Sequence, residues 1–380
     1  MLYYPPHSHL PGLYIHVPFC RSKCPYCGFY SIASEKLIPR WVNALKKEAV
    51  YYKNRFGRFD SLYLGGGTPS LLDTGILSDM VEYLFSCFDF MADSEITIEA
   101  NPSDLSPEKA RALRQIGFNR ISLGVQSFCD RNLRFLGRTH SARQAQEALT
   151  LVKSCGFNNI SMDLIYGFDG QSLTDWMGTL SKAVSFGPAH FSCYQLTLEE
   201  KTPLFRLKER GLYHPLDDVM ESSFFITTSR FLKDNGYTHY EISSFAENDS
   251  SISKHNMKYW LHSPYLGLGP SAHSFDGSQQ RWWNVSSVRR YCEALEEGAS
   301  PVSGSECLSD EQLAFERVVL GLRTKDGLDE NVIPLNHRSW NLMSELRDSG
   351  FIVIDNGRIM PTTKGFLMAD YLACALSGPV

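Results

Sequence analysis

HVPFCRSKCPYCGFYS, residues 16–31, places Cys20, Cys24 and Cys27 in a C-x3-C-x2-C spacing. Four donors complete a tetrahedral metal site, so three cysteines leave one position open. Just upstream, Leu13 to Val17 reads as a short apolar strand, which puts the cysteine loop at a strand's C-terminal end. Working outward, the same rhythm recurs. Ser61–Leu64, Ile96–Glu99, Arg120–Val125, Asn159–Ile165 and His190–Leu196 read as strands. Residues 35–55, 74–86, 141–154, 172–186 and 217–235 carry helical spacing, and Ser106-Pro107 opens a further helix. Thr238–Ile242 reads as one more strand. Strand, loop and helix alternate at least six times, which predicts parallel α/β architecture, either doubly wound or a whole or partial barrel.

The rhythm breaks near residue 245, where polar text leads into Lys254-His-Asn-Met-Lys-Tyr-Trp260 and a glycine-rich turn at 267–271. After about 305 the spacing predicts helices over Asp310–Leu322 and Ser339–Ser349, a hairpin turning on Asn356-Gly357, and a last helix over 362–376.

Composition narrows the class. Apolar residues make up 43% and charged residues 21%, with a net charge of -5 and a pI near 6.1. That is an ordinary globular balance without a nucleic-acid footprint. No run approaches the roughly 18 apolar residues of a membrane span. MLYYPPHSHLPG has no basic-then-apolar leader pattern, so a cytoplasmic location is expected. Ten cysteines in 380 residues do not make a disulfide scaffold. Cys87, Cys129, Cys155, Cys193, Cys292, Cys307 and Cys374 are scattered and read mostly as small buried hydrophobes.

In a β/α barrel, chemistry collects at the C-terminal ends of the strands. Tyr14, the cysteine loop, Gly65 to Thr68, Glu99, Gln126, Asp163 and Tyr194 would then face one mouth, with Arg138 and His140 just beyond the fourth strand. Thiolates select zinc or iron–sulfur chemistry. A structural zinc site wants a second C-x2-C or a histidine, and His16 on its strand would point away from the loop. The favoured reading is a [4Fe–4S] cluster on three thiolates with one iron open to a chelating ligand. Structural zinc and inert core cysteines are the alternatives. Gly65-Gly-Gly-Thr-Pro69 fits neither a P-loop nor a dinucleotide fingerprint. Its glycines suit close backbone approach to the amine or carboxylate of an amino-acid ligand. Glu99 could accept from an amine or ribose hydroxyls, or serve as a helix-terminal or salt-bridging group. Asp163 sits in an apolar strand, where an unpaired charge is costly. Arg138 could clamp a carboxylate or pair with Asp163. Gln126 suits ribose or base recognition.

The cysteine motif resembles the radical S-adenosylmethionine superfamily. Leu13-Tyr-Ile-His-Val-Pro-Phe-Cys20, Gly65-Gly-Gly-Thr-Pro-Ser70, Gly124-Val-Gln-Ser-Phe128, Leu136-Gly-Arg-Thr-His140, Met162-Asp-Leu-Ile-Tyr-Gly167 and Tyr240-Glu-Ile-Ser243 look like its oxygen-independent coproporphyrinogen III oxidase group. The resemblance spans essentially the whole chain. It implies a partial (β/α)6 TIM-like barrel over residues 1–245, a linking region over 246–304 and a small helical, winged-helix-like domain over 305–380. Cys20, Cys24 and Cys27 would hold the cluster. Tyr14, Gly66, Gly67, Thr68, Glu99, Gln126, Arg138 and Asp163 match the positions that bind S-adenosylmethionine, whose one-electron cleavage gives a 5′-deoxyadenosyl radical. Two readings follow inside the group. One is the oxidase, which converts two propionates of coproporphyrinogen III to vinyls. The other is the HemW-like haem chaperones, which pass haem to respiratory haem proteins; for this chain that implies haem and such acceptors, at the membrane surface, as partners of a monomer or dimer. The strand beginning at Leu13 leaves no room for the oxidase's N-terminal extension, and Phe29 stands where the oxidase has a fourth cysteine. His255-Asn-Met-Lys-Tyr-Trp260 matches the HNxxYW element of the chaperones, which makes His255 the expected haem ligand, with an ordinary hydrogen-bonded histidine as the alternative.

Overall fold

The computed structural model describes residues 10–333 and 337–377; residues 1–9, to which the leader reading applies, lie outside them. β1 (Gly12–Val17), β2 (Phe59–Gly66), β3 (Phe90–Ala100), β4 (Arg120–Gln126), β5 (Asn159–Tyr166) and β6 (His190–Gln195) pair in parallel, in sequence order. The helices between them are α1 (Ile38–Tyr52), α2 (Thr74–Cys87), α3 (Pro107–Ile116), α4 (Asp130–Phe135), α5 (Ala142–Ser154) and α6 (Leu173–Val184), and α7 (Pro203–Glu209) and α8 (Asp218–Asp234) follow β6. Ser106 and Ser172 cap α3 and α6 through their side chains, as their sequence positions predict.

Alternation along these strands divides the sheet into two faces. Leu13, Ile15 and Val17 on β1, Ile121, Leu123 and Val125 on β4, and Met162 and Leu164 on β5 are fully buried in the main core. Each such side chain contributes about 1.5–3 kcal/mol on burial, so this face holds the barrel together. The intervening residues are polar: Tyr63 on β2, Glu99 on β3, Ser122 on β4, Ser161 and Asp163 on β5, Ser192 on β6. A parallel sheet packed on both faces reads as near-continuous apolar runs. This one does not, and its inner face encloses space instead of side chains.

β7 (Thr238–Glu241) and β8 (Ser244–Ala246) form an antiparallel hairpin on β6, so Thr238–Ile242 does not continue the parallel series. Residues 246–304 return to the other edge of the sheet. After α9 (Lys254–Trp260), β9 (Tyr265–Leu268) runs parallel to β1 and is extended by β10 (His273–Phe275), β11 (Gln280–Asn284) and, beyond α10 (Val288–Glu296), β12 (Val302–Cys307). Buried Glu48 of α1 ties this addition down, accepting from Asn284 Nδ2 at 2.5 Å and Gly269 N at 2.8 Å. Burial pushes its carboxyl up to about 7.

The remaining described residues form α11 (Asp310–Gly321), β13 (Leu328–Asp329), α12 (His337–Asp348), β14 (Ile352–Asp355), β15 (Arg358–Pro361), α13 (Thr363–Leu367) and α14 (Ala369–Ser377). They have their own three-stranded sheet and a core that includes Leu322, Ile352, Ile359 and Leu372. Asn356 and Gly357, at φ 48° and 75°, make the two-residue hairpin turn their sequence predicts. Among the described residues no helix is long and apolar enough to cross a membrane. Of the seven scattered cysteines only Cys193 and Cys292 are buried, while Cys307 and Cys374 are exposed, so the buried-hydrophobe reading holds for few of them.

Candidate functional site

The polar inner face lines a cavity of about 800 Å³. The cysteine loop, the glycine loop after β2 and the ends of β3 to β6 form its mouth. Residues 251–258 approach the opposite, N-terminal ends of the strands. Ser251 O accepts from Arg120 Nη1 at 3.1 Å at the start of β4, and Lys258 meets Asp60 at 2.6 Å at the start of β2. Ser253 and Asn256 line the cavity from this side. The chamber therefore has a mouth of functional loops and a floor formed by α9.

At the mouth, two loops distant in sequence are joined by backbone. Gly67 N donates to Val17 O and Thr68 N to Phe19 O, each at 2.8 Å. A Cβ at Gly67 would stand 2.6 Å from Phe19 O, so only glycine permits this approach. Gly66, at φ 104°, adopts a left-handed conformation and donates its N–H to Glu99 Oε2 at 3.2 Å. The N–H groups of Gly66, Gly67 and Thr68 are thus committed within the protein, and this segment has carbonyl oxygens to offer a ligand. Thr68 Oγ1 donates to Cys20 Sγ at 3.5 Å, and Arg138 Nη1 to Cys24 Sγ at 3.6 Å. Cys27 lines the cavity, and burial raises its thiol pKa. Among the described residues no three His, Cys, Asp or Glu side chains gather into a single-ion site.

Glu99 accepts from Tyr63 Oη at 2.8 Å as well as from Gly66, and among the described residues it neither caps a helix nor pairs with a cation. Burial, opposed by the Tyr63 hydrogen bond and aided by Asp163, pushes its carboxyl up to about 7. Asp163 accepts from Ser122 Oγ at 2.9 and 3.0 Å and from Ser161 Oγ at 3.3 Å, and burial lifts it to about 6. Arg138 does not pair with it. The guanidinium instead donates to Asn101 Oδ1 and to Gly124 O, and its Nε is buried with no partner. Gln126 ends β4 at φ 63°, a strained value for a non-glycine residue, and its buried Oε1 has no partner either. These orphaned groups, one donor and one acceptor, line the cavity. Tyr194 is 44% accessible although it is surrounded by protein, because it faces the same space.

Four expected residues lie outside this lining: Cys20 and Cys24, in the loop at the mouth, and Tyr14 and His255. Tyr14 projects under the mouth, its hydroxyl 3.1 Å from His16 Nδ1. His16 does not point away from the cysteine loop: Nε2 reaches Tyr30 O at 2.8 Å and closes the loop's far end, and burial keeps the ring neutral, with a pKa of about 4. His255 is 1% exposed in the floor, with Nδ1 3.1 Å from Ser61 Oγ and Nε2 3.1 Å from Tyr259 Oη. Burial lowers its pKa to about 3.

The model of the radical SAM superfamily matches residues 14–183. The heme chaperone HemW of Mycobacterium tuberculosis is 34% identical over 374 residues, covering 97% of this chain and 95% of that protein. The chain belongs to the radical SAM superfamily, in its HemW-like group. HemW of Bacillus subtilis is 32% identical, covering 97% of this chain and 100% of the relative. Coproporphyrinogen III oxidase (HemN) from Escherichia coli shares the fold, with a TM-score of 0.82 at 23% identity over 97% of this chain and 91% of that one. Membership implies a [4Fe–4S] cluster and S-adenosylmethionine, and the three thiols, the glycine cradle and the orphaned Arg138 and Gln126 atoms fit that pair.

Sequence reading missed Tyr63, Asn101, Ser122, Ser161 and Ser192, all of which line the cavity. A signal was present: polar residues at every second position of strands that should be apolar on both faces.

Proposed function

We propose that the chain is a haem chaperone that carries a [4Fe–4S] cluster and binds S-adenosylmethionine. The observation that carries this reading is the full-length match to relatives named heme chaperone HemW. In it, Cys20, Cys24 and Cys27 hold the cluster. The carbonyls of the glycine segment and Glu99 take the ligand's ammonium, Arg138 its carboxylate, and Gln126 and Asp163 its ribose and base. When bound, cluster and cofactor together supply one-electron chemistry. Haem ligation by His255 requires α9 to leave the floor, because both ring nitrogens are already bonded. Delivery would be to acceptor haem proteins, respiratory ones included, from the cytoplasm.

Haem titration tests the reading. A one-to-one complex that yields its haem to an apo acceptor, with no divinyl product from coproporphyrinogen III, is expected. Turnover to the divinyl product would instead establish the oxidase.

The cofactor site also predicts a pH dependence. Glu99 and Asp163, raised to about 7 and about 6, stabilise the free protein in their protonated forms. That contribution is complete below their ordinary values and is lost as pH rises through about 6 to 7. An ammonium at Glu99 favours the charged carboxylate, so binding releases protons. Affinity for S-adenosylmethionine should rise with pH up to about 7, by at most about tenfold per unit for each group released. Calorimetry in buffers of different ionisation enthalpy reads this directly, and a buffer-independent heat at pH 6 excludes it.

A further inference from the structure

The floor touches the ligand-facing carboxylate through one side chain. Tyr63 lines the cavity and donates to Glu99 at 2.8 Å. Beneath it, the His255 ring stacks on the Tyr63 ring, with centroids 5.0 Å apart and planes at 27°. His255 does not reach the cavity, but it is held from four sides. Ser61 and Tyr259 each sit 3.1 Å from a ring nitrogen, and Glu95 accepts the His255 backbone N–H at 3.2 Å. On the fourth side, a Cβ at Gly12 would stand 2.9 Å from Nδ1, so the ring has no room to shift that way. Tyr14 stacks on the same imidazole at 6.1 Å and 29°.

We propose that His255 is a positioning residue of the cofactor site, bracing the Tyr63 ring and so fixing the hydroxyl that holds Glu99. The inference rests on Glu99 being the ammonium acceptor. It concerns the haem-free protein, in which α9 lies in the floor. The brace works by ring contact, since burial keeps the imidazole neutral. The groups that face Glu99 are Tyr63 from β2, Asp163 from β5, Tyr194 from β6, Tyr14 from β1 and Tyr259 from α9. Those that face His255 are Glu95 from β3, Tyr14 from β1, and Lys258 and Tyr259 from α9 itself. A hydrogen bond donated to a carboxylate favours its charged form, so loss of the Tyr63 bond moves the Glu99 titration upward.

The test is a double-mutant cycle on cluster-loaded protein, reading S-adenosylmethionine affinity and the pH midpoint of proton release. Tyr63→Phe and His255→Ala should each weaken binding about tenfold and move the midpoint up, and the double variant should be no worse than Tyr63→Phe alone. His255→Phe, which keeps the stack and loses both ring hydrogen bonds, should restore the wild-type midpoint. Additive losses, or an unmoved midpoint in His255→Ala, overturn the positioning role, and if that variant does not fold, His255→Phe with a midpoint like that of Tyr63→Phe overturns it equally. Glu99→Gln separates the two levels. If it leaves binding unchanged, the ammonium reading fails and the inference with it. If it weakens binding while Tyr63→Phe and His255→Ala do not, the inference alone fails.

Discussion

Serine in place of any one of Cys20, Cys24 or Cys27 should leave the anaerobically purified protein with only traces of iron and acid-labile sulfide. The three thiols are not interchangeable in their surroundings. Cys20 has the Thr68 hydroxyl, Cys24 the Arg138 guanidinium, and Cys27 the cavity. A serine alkoxide is a hard ligand and a poor match for iron–sulfur chemistry, and two thiolates do not retain a cluster that three hold. Folding should survive, because the loop sits at the mouth while the core lies between sheet and helices. The melting temperature of the cluster-free protein should therefore change little. Full iron content in Cys27→Ser would remove Cys27 from the ligand set, and one zinc per chain in the unmodified protein would return the site to the structural-zinc reading.

The largest effect on stability should come from Lys258→Met. Lys258 Nζ and Asp60 Oδ2 lie 2.6 Å apart with side chains 3% and 5% exposed. Burial pulls the lysine down and the aspartate up, each toward neutrality, and their partnership opposes this. Removing one member leaves the other charge buried, at a typical cost of about 3–5 kcal/mol. Ser61 and Lys254 also favour the charged carboxylate, but less than Lys258 does, and among the described residues Asp60 Oδ1 has no hydrogen-bond partner. Urea unfolding should show that loss, and Asp60→Asn combined with Lys258→Met should recover more than half of it. A loss below about 1 kcal/mol, the range of exposed pairs, would mean that the floor is not anchored here. The carboxylate of Glu95, which accepts the N–H groups of Lys254 and His255 at 3.1 and 3.2 Å, is the second anchor of α9.

The barrel was legible because its outward face is written in Leu, Ile and Val at every second strand position, with helices of regular period between. The mouth was legible because position along a strand is enough to place Glu99, Gln126 and Asp163 at one end. What could not be read is what pairs across long separations. Nothing local says that Tyr265–Leu268 lies beside Gly12–Ile15, so residues 246–304 read as a link although they carry β9, β10, β11 and the start of β12, all in the main sheet. The same gap hid the place of α9, whose His255 contacts Gly12, Ser61 and Glu95 beneath the cavity. His16 was misdirected for a related reason: strand alternation gives a side, but the partner, Tyr30 O, belongs to the returning end of the loop.

The two backbone bonds that join Gly67 to Val17 and Thr68 to Phe19 have a consequence for engineering. They turn two loops into a single ledge, so the cysteine and the glycine segments share one set of coordinates. Transplanting the cysteine loop alone into another barrel would bring the thiols without the surface that aligns them. An insertion in the glycine loop, made to change what the cavity accepts, would displace the thiols as well. The smallest transferable unit is the strand pair with both loops, and cofactor choice and cluster assembly have to be altered as one trait.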